Sequence, residues 1–242
     1  MKYLLEIWRQ NDKTEKGAFR TYLYESDSDS VTVAAALSKL NEREQLADIN
    51  GIITEKIVWE CSCMQKKCGA CAMIINGKPC LACDTKLSVH KKGIIRIEPL
   101  RKFPVIADLM VDREIIFDNL KKMKVWSESE FSADDKNNSL MYEASRCLQC
   151  GCCLEICPNF AAGGNFFGTS AMVQASRILT GVDKRYVADL RNQFGKRITD
   201  GCGKSFACRD ICPAGIDIEK LMARSNAAVL WSLFLRDHKK NI

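Results

Sequence analysis

Along the first hundred residues the apolar positions recur mostly at every second place. Tyr3, Leu5 and Ile7 share one face of an expected strand, and Phe19, Thr21 and Leu23 share a face of another. Between strands the rhythm changes: Val33, Leu37 and Leu40 fall at helical spacing in VTVAAALSKLNER, a helix that Ser30 is placed to cap. A cysteine-rich loop from Cys61 to Cys71 follows, then the strand AMII, a turn at Asn76-Gly77 and IIRIEP as a final strand. This predicts a small sheet with one helix across it, an α+β arrangement. A further helix is expected from about Ile106 to Met123, with Leu109, Ile116 and Leu120 along one face. The polar, apolar-poor stretch SESEFSADDKNNS, Ser127 to Ser139, reads as a linker, and from Leu140 onward the pattern is helical with cysteine motifs at the breaks. The expected organisation is therefore a first domain over 1–105, a connecting helix and polar linker over 106–139, and a helical domain over 140–242.

A chain of 242 residues is long enough to bury real cores without disulfide staples. MKYLLEIWRQ interleaves charges with its apolar positions and has no small-residue cleavage site, and AAVLWSLFL, Ala227 to Leu235, is too short to span a bilayer. The expectation is a soluble, intracellular protein. In a reducing compartment its 14 cysteines point to metal or redox ligation rather than a disulfide framework. That changes the meaning of the formal charge of +6, since three iron-sulfur centres at roughly −2 each would bring the total to about zero. No segment alternates basic and aromatic residues, which argues against a nucleic-acid partner.

Cys63, Cys68 and Cys71 are spaced C-x4-C-x2-C with Cys83 following, the plant-type [2Fe-2S] ferredoxin pattern. Soft thiolates suit such a core, and a tight loop can aim several of them, with backbone N–H groups, at one small anion. A rival set, Cys68, Cys71, Cys80 and Cys83, has the spacing of a tetrahedral zinc site. Zinc leaves Cys63 unexplained, and the ferredoxin set leaves Cys80. Further on, CLQCGCCLEICP (Cys147 to Pro158) and CGKSFACRDICP (Cys202 to Pro213) follow one frame, C-x2-[C/S]-x2-C-x3-C-P, the bacterial ferredoxin run in which the fourth cysteine serves the other cluster. Crossed in this way, Cys147, Cys150, Cys153 and Cys212 hold a [4Fe-4S] cluster, and Cys157, Cys202 and Cys208 hold a second one with Ser205 where a fourth thiolate would sit. A [3Fe-4S] cluster answers that omission. A [4Fe-4S] cluster with serine oxygen or water on its last iron, or Ser205 as an ordinary turn residue, are the alternatives. Cys61, Cys80 and Cys152 are left over and are expected to be small buried hydrophobes.

Several features carry no chemistry. Gly203-Lys204-Ser205 lacks the earlier glycine of a phosphate-binding loop, since Ile198 stands there. His90 and His238 lie far apart in sequence, which argues against a Rieske centre. No G-x-G-x-x-G follows a strand, so no dinucleotide site is expected. Lys66 and Lys67 offset cluster charge, meet an acidic partner or simply form a solvated loop face.

With these motifs in this order, and with the stretches CGACAMIINGKPCLAC, PLRKFPVIADLMVDREIIFDNLKKMK and NFFGTSAM, the chain resembles the iron-sulfur subunits of succinate dehydrogenase and fumarate reductase over nearly its whole length. The resemblance implies a plant-type ferredoxin (β-grasp-like) domain of α+β class, followed by an all-α, bacterial-ferredoxin-like helical domain. It also implies an electron wire within an oxidoreductase complex, with no catalytic acid, base or nucleophile in this chain. The implied partners are a catalytic subunit with covalently held FAD and a membrane anchor, with haem in some members. The chain would then sit at the cytoplasmic face of the cell membrane, peripheral through the anchor, with a quinone site near the [3Fe-4S] cluster. Members with a well-known quinone pocket carry tryptophans shortly after the Cys-Pro and a histidine just after the cysteine matching Cys202. Here those stretches read NFAAGG and Cys202-Gly203. Glycine there also resembles members paired with a haem-bearing anchor, and Pro158 and Asn159 are the candidate pocket edge. A soluble flavoprotein reductase acting on another unsaturated acid is the alternative.

Overall fold

The structure, a computed structural model, describes residues 1–90, 93–126, 135–182 and 186–240, the side chains of 135–137 and 230–240 excepted. It consists of two compact units, Met1–Arg113 and Glu114–Ile242.

In the first unit β1 (Lys2–Arg9) and β2 (Ala18–Glu25) form an antiparallel pair, and α1 (Val33–Glu42) follows. Tyr3, Leu5 and Ile7 are buried, as their alternation predicts, whereas the core face of β2 is Tyr22 and Tyr24, and Leu23 stands outside. The helix is capped by Thr32, not Ser30: the Thr32 hydroxyl accepts from the Ala35 N–H at 3.2 Å, while the Ser30 hydroxyl is engaged with Ser28. Val33, Leu37 and Leu40 are fully buried. After the short β3 (Leu46–Ala47) and β4 (Ile53–Thr54), the long loop leads into β5 (Ala72–Ile75) and β6 (Lys78–Leu81). Asn76 and Gly77 between them take φ of +46° and +79°, the left-handed pair a two-residue hairpin needs. β7 (Ile94–Glu98) inserts at the centre, parallel to β1 and antiparallel to β5, giving the order β2-β1-β7-β5-β6.

The helix expected from Ile106 does not start there. Residues 105–111 instead form a hairpin of β8 (Val105–Ala107) and β9 (Met110–Val111) that belongs to the first unit. Asp108 decides this: its backbone is left-handed at φ +44°, and its carboxylate accepts from Arg9 Nε at 3.0 Å, Gln10 N at 2.8 Å and Val58 N at 2.8 Å. The helix, α2, spans Glu114–Met123 and opens the second unit. Of the expected linker, 127–134 lie outside the described residues, and 135–139 form the first part of α3 (Asp135–Ser145).

The second unit packs around α5 (Gly168–Gly181), against which α3, α2, α4 (Cys152–Ile156), α6 (Ala188–Phe194) and α8 (Ile218–Lys240) lie. One π-turn, Gly195–Thr199, extends α6, and α7 (Ala207–Ile211) packs on α4. The core joins Met172, Ala175, Leu179, Phe194, Ile198 and Leu221. Among the described residues no helix is long and apolar enough to cross a membrane.

Candidate functional site

The loop before β5 is shaped to turn backbone donors inward. Met64, Lys66 and Gly69 take φ of +53°, +59° and +77°, so successive N–H groups converge. Gln65 N and Lys67 N donate to Cys63 Sγ at 3.3 and 3.2 Å, and Lys66 N donates to Cys83 Sγ at 3.3 Å. These donors pull the Cys63 thiol down to about 7. Cys71 is buried against Cys83 and Cys68, and burial pushes its thiol up to about 12. Thus Cys63, Cys68, Cys71 and Cys83 are brought together with N–H groups aimed at the sulfurs of Cys63 and Cys83, a donor set that fits an anionic [2Fe-2S] core. Cys80 lies on β6 with its thiol accepting from the Thr85 hydroxyl at 3.3 Å, and it is half-buried rather than fully so. Cys61 is exposed, so it is not the buried hydrophobe expected: it falls in the loop, where no core covers it. Arg113 braces the loop from behind, donating to Gly69 O and Ala70 O at 3.0 Å each and pairing with Glu60.

In the helical unit the two cysteine copies have one backbone conformation. Gln149 and Lys204 match at φ +51° and +54°, as do Gly151 and Phe206 at +88° and +55°. The copies then enter helices of equal length, α4 and α7, and leave them in extended conformation at Cys157 and Cys212. Ser205, exposed, therefore occupies the backbone place of Cys150. Cys147, Cys150 and Cys153 of the first copy and Cys212 of the second line one cavity, closed by Gln149, Ser170 and Ile216, with about 310 Å³ of empty space, open rim included. Arg146 holds the copies in this register, reaching the Ala214 carbonyl two residues past Cys212. The Gln149 side-chain amide donates to Cys147 Sγ at 3.2 Å. Burial pushes the Cys147 thiol up to about 11 and that of Cys153 well above the usual range. A shared, apolar, four-thiol space fits a [4Fe-4S] cube. Among the described residues no three His, Cys, Asp or Glu side chains close on one point as a single ion needs.

Cys208 is buried facing Cys157 and Cys202, a three-thiol set. Burial raises its thiol, opposed by a hydrogen bond from the Thr169 hydroxyl. Cys152 is fully buried, as expected of it. Pro158 and Asn159 are exposed, and Asn159 Nδ2 donates to Gly201 O at 2.7 Å. Sequence reasoning missed Arg113, Arg146, Gln149 and Thr169. The first two act on backbone carbonyls, which leave no spacing signal, and only Gln149, inside the motif, was open to notice.

Residues 4–118 match the 2Fe-2S iron-sulfur cluster binding domain family, and residues 143–216 match the 4Fe-4S dicluster domain family. The succinate dehydrogenase iron-sulfur subunit of Bacillus subtilis is 33% identical over 219 residues, covering 81% of each chain. The fumarate reductase iron-sulfur subunit of Wolinella succinogenes is 27% identical over 220 residues, 86% of this chain and 88% of that one. A chain in the structure of the Mycobacterium smegmatis Sdh1 complex in the apo form superposes with a TM-score of 0.73 at 23% identity, covering 94% of this chain and 95% of that one. It has the same fold: a ferredoxin-like sheet unit followed by a helical cluster-binding unit.

Proposed function

Because the chain belongs to the family of succinate dehydrogenase and fumarate reductase iron-sulfur subunits, we propose that it relays single electrons within such a complex, between an FAD-containing catalytic subunit and a quinone site at a membrane anchor. The observation that carries this reading is the cavity lined by three cysteines of one motif copy and Cys212 of the other. That exchange of ligands is the signature of paired clusters. The ligand sets are Cys63, Cys68, Cys71 and Cys83 for [2Fe-2S], Cys147, Cys150, Cys153 and Cys212 for [4Fe-4S], and Cys157, Cys202 and Cys208 for [3Fe-4S]. When bound, the clusters supply one-electron acceptors in series. The chain's own residues hold them, exclude water from them and aim donors at their sulfurs; none is a general acid, base or nucleophile.

In this reading the quinone sits at the rim of the third set, with Pro158 and Asn159 at its edge, and the assembly works at the cytoplasmic face of the cell membrane through the anchor. One observation favours the second reading, a soluble flavoprotein reductase for another unsaturated acid. The surface after Cys157 consists of exposed Pro158, Asn159 and residues 161–165, all small or polar, with Phe160 turned into the interior. Purification of the native complex tests both. The expected result is a brown chain with about ten irons, the sum of the three clusters, copurifying with a flavoprotein and a detergent-dependent anchor. Stoichiometric zinc with little sulfide would end the relay reading, and a detergent-independent flavoprotein complex would select the soluble one.

A further inference from the structure

Helix α5 begins between the two cluster sites of the helical unit, and its first turn is polar where its surroundings are not. Gly168 makes this approach possible: at φ +75° it takes a conformation side chains rarely adopt, and a Cβ there would stand 2.3 Å from Leu154 Cδ2 of α4. The two residues that follow are a threonine and a serine, 6% and 2% exposed. Threonine and serine are costly in such a place unless their hydroxyls have work to do. Thr169 directs its hydroxyl to Cys208 Sγ, on the three-thiol side. Ser170 lines the cavity of Cys147, Cys150, Cys153 and Cys212. The N-cap, Phe167, makes no side-chain capping hydrogen bond, so the polar character of this turn comes from Thr169 and Ser170 themselves.

We infer that Thr169 and Ser170 are paired tuning residues, one for each cluster, which set the difference in potential between the [4Fe-4S] and [3Fe-4S] centres. The inference rests on the cluster assignment proposed above. An electron added to a cluster increases negative charge on its sulfurs, so a donor to a ligand sulfur stabilises the reduced state more than the oxidised one. Removing the donor lowers the potential of that cluster alone, with no bond made or broken. Because the two hydroxyls sit on consecutive residues of one rigid turn, the same element sets both ends of the electron's step.

The test is a redox titration of the intact complex followed by electron paramagnetic resonance, which reads each cluster separately. Thr169→Val, nearly isosteric, should lower the potential of the three-iron centre by up to a tenfold change in its one-electron equilibrium, 59 mV. It should leave the four-iron centre in place, and Thr169→Ser should restore the value. Ser170→Ala should do the reverse, moving only the four-iron centre. If Thr169→Val does not assemble, electron-nuclear double resonance on the wild type gives the answer, since the hydroxyl proton must appear as an exchangeable coupling at the three-iron centre. Equal shifts at both centres in either variant, no shift, or no exchangeable coupling would overturn the inference. A wild type with two four-iron signals would instead overturn the assignment of the third cluster, and Thr169→Val would then be read on whichever cluster Cys208 holds.

Discussion

The two units bring thiols together with a different balance of two means, donors and burial, although burial acts in the first as well, where it pushes the Cys71 thiol up to about 12. Around Cys63 the chain supplies donors: Gln65 and Lys67 N–H groups draw the thiol down to about 7 in a loop where Cys68 is exposed. Around Cys147 and Cys153 it supplies burial, which pushes one thiol up to about 11 and the other well beyond. A loop of backbone amides is organised for negative charge before metal arrives, whereas a helical core must be compensated by the iron itself. The helical unit should therefore depend on its clusters for stability far more than the sheet unit does.

The largest effect should come from breaking the crossing. Cys212→Ser is expected to abolish the four-iron signal, although Cys212 belongs to the second motif copy, and to destabilise the helical unit while the [2Fe-2S] signal persists. Cys157→Ser should spare the four-iron centre and remove the three-iron one. Electron paramagnetic resonance together with unfolding followed by circular dichroism reads both, and loss of the [2Fe-2S] signal in either variant would erase the distinction between the units.

Next in size is Ser205→Cys. Lys204 and Phe206 repeat the left-handed conformations of Gln149 and Gly151, so a cysteine at 205 should stand where Cys150 stands in the first copy. A fourth iron is expected to bind, the oxidised three-iron signal to disappear, and the potential to fall, each 59 mV being a tenfold change for one electron. Reaction of the flavoprotein with a soluble dye should persist. An unchanged signal in a fully assembled variant would make Ser205 a turn residue only.

The motif copies, the alternation of β1, the Asn76-Gly77 turn and the helical spacing of Leu37 and Leu40 were all legible along the chain because local spacing determines them. Where the reading failed, distant partners decide. Ile106 to Leu109 fit the start of a helical pattern, and Asp108 receiving Arg9, Gln10 and Val58 turns them into a hairpin. Ser30 is the better cap by type, and Ser28 leaves the place to Thr32 by engaging it. Cys61 has the composition of a core residue and the position of a loop residue, and position wins. Thr169 and Ser170 open an otherwise ordinary helix, and only the assembled fold brings Cys208 to one of them and the four-cysteine cavity to the other.

A smaller effect should follow from the brace behind the loop. Arg113→Met leaves the Gly69 and Ala70 carbonyls without their charged donor, which should cost the sheet unit about 2 kcal/mol. It should also shorten the lifetime of the [2Fe-2S] centre, measured as bleaching of its visible absorbance in urea. If the amide donors of the loop hold their geometry unaided, stability will fall and that lifetime will not.

The smallest expected effect is the most discriminating between the two environments. Lys66 pairs with Asp84 at 2.7 Å beside Cys83, and both side chains are nearly half exposed. An exposed pair of this kind contributes about 0 to 1 kcal/mol to stability, so Lys66→Gln should leave the unfolding midpoint almost unmoved. Its charge still acts on the cluster held by the loop, and removing it should lower the [2Fe-2S] potential slightly. That shift should fade with salt, because the screening length falls from about 10 Å at 0.1 M to about 3 Å at 1 M. Any shift from Thr169→Val, made by a buried donor, should be the same at both ionic strengths. The measurement is one titration of each variant at 0.1 M and at 1 M salt. A salt-independent Lys66 shift would mean that the loop shields its cluster from water as fully as the helical core does, and the contrast between donors and burial would no longer separate the two units.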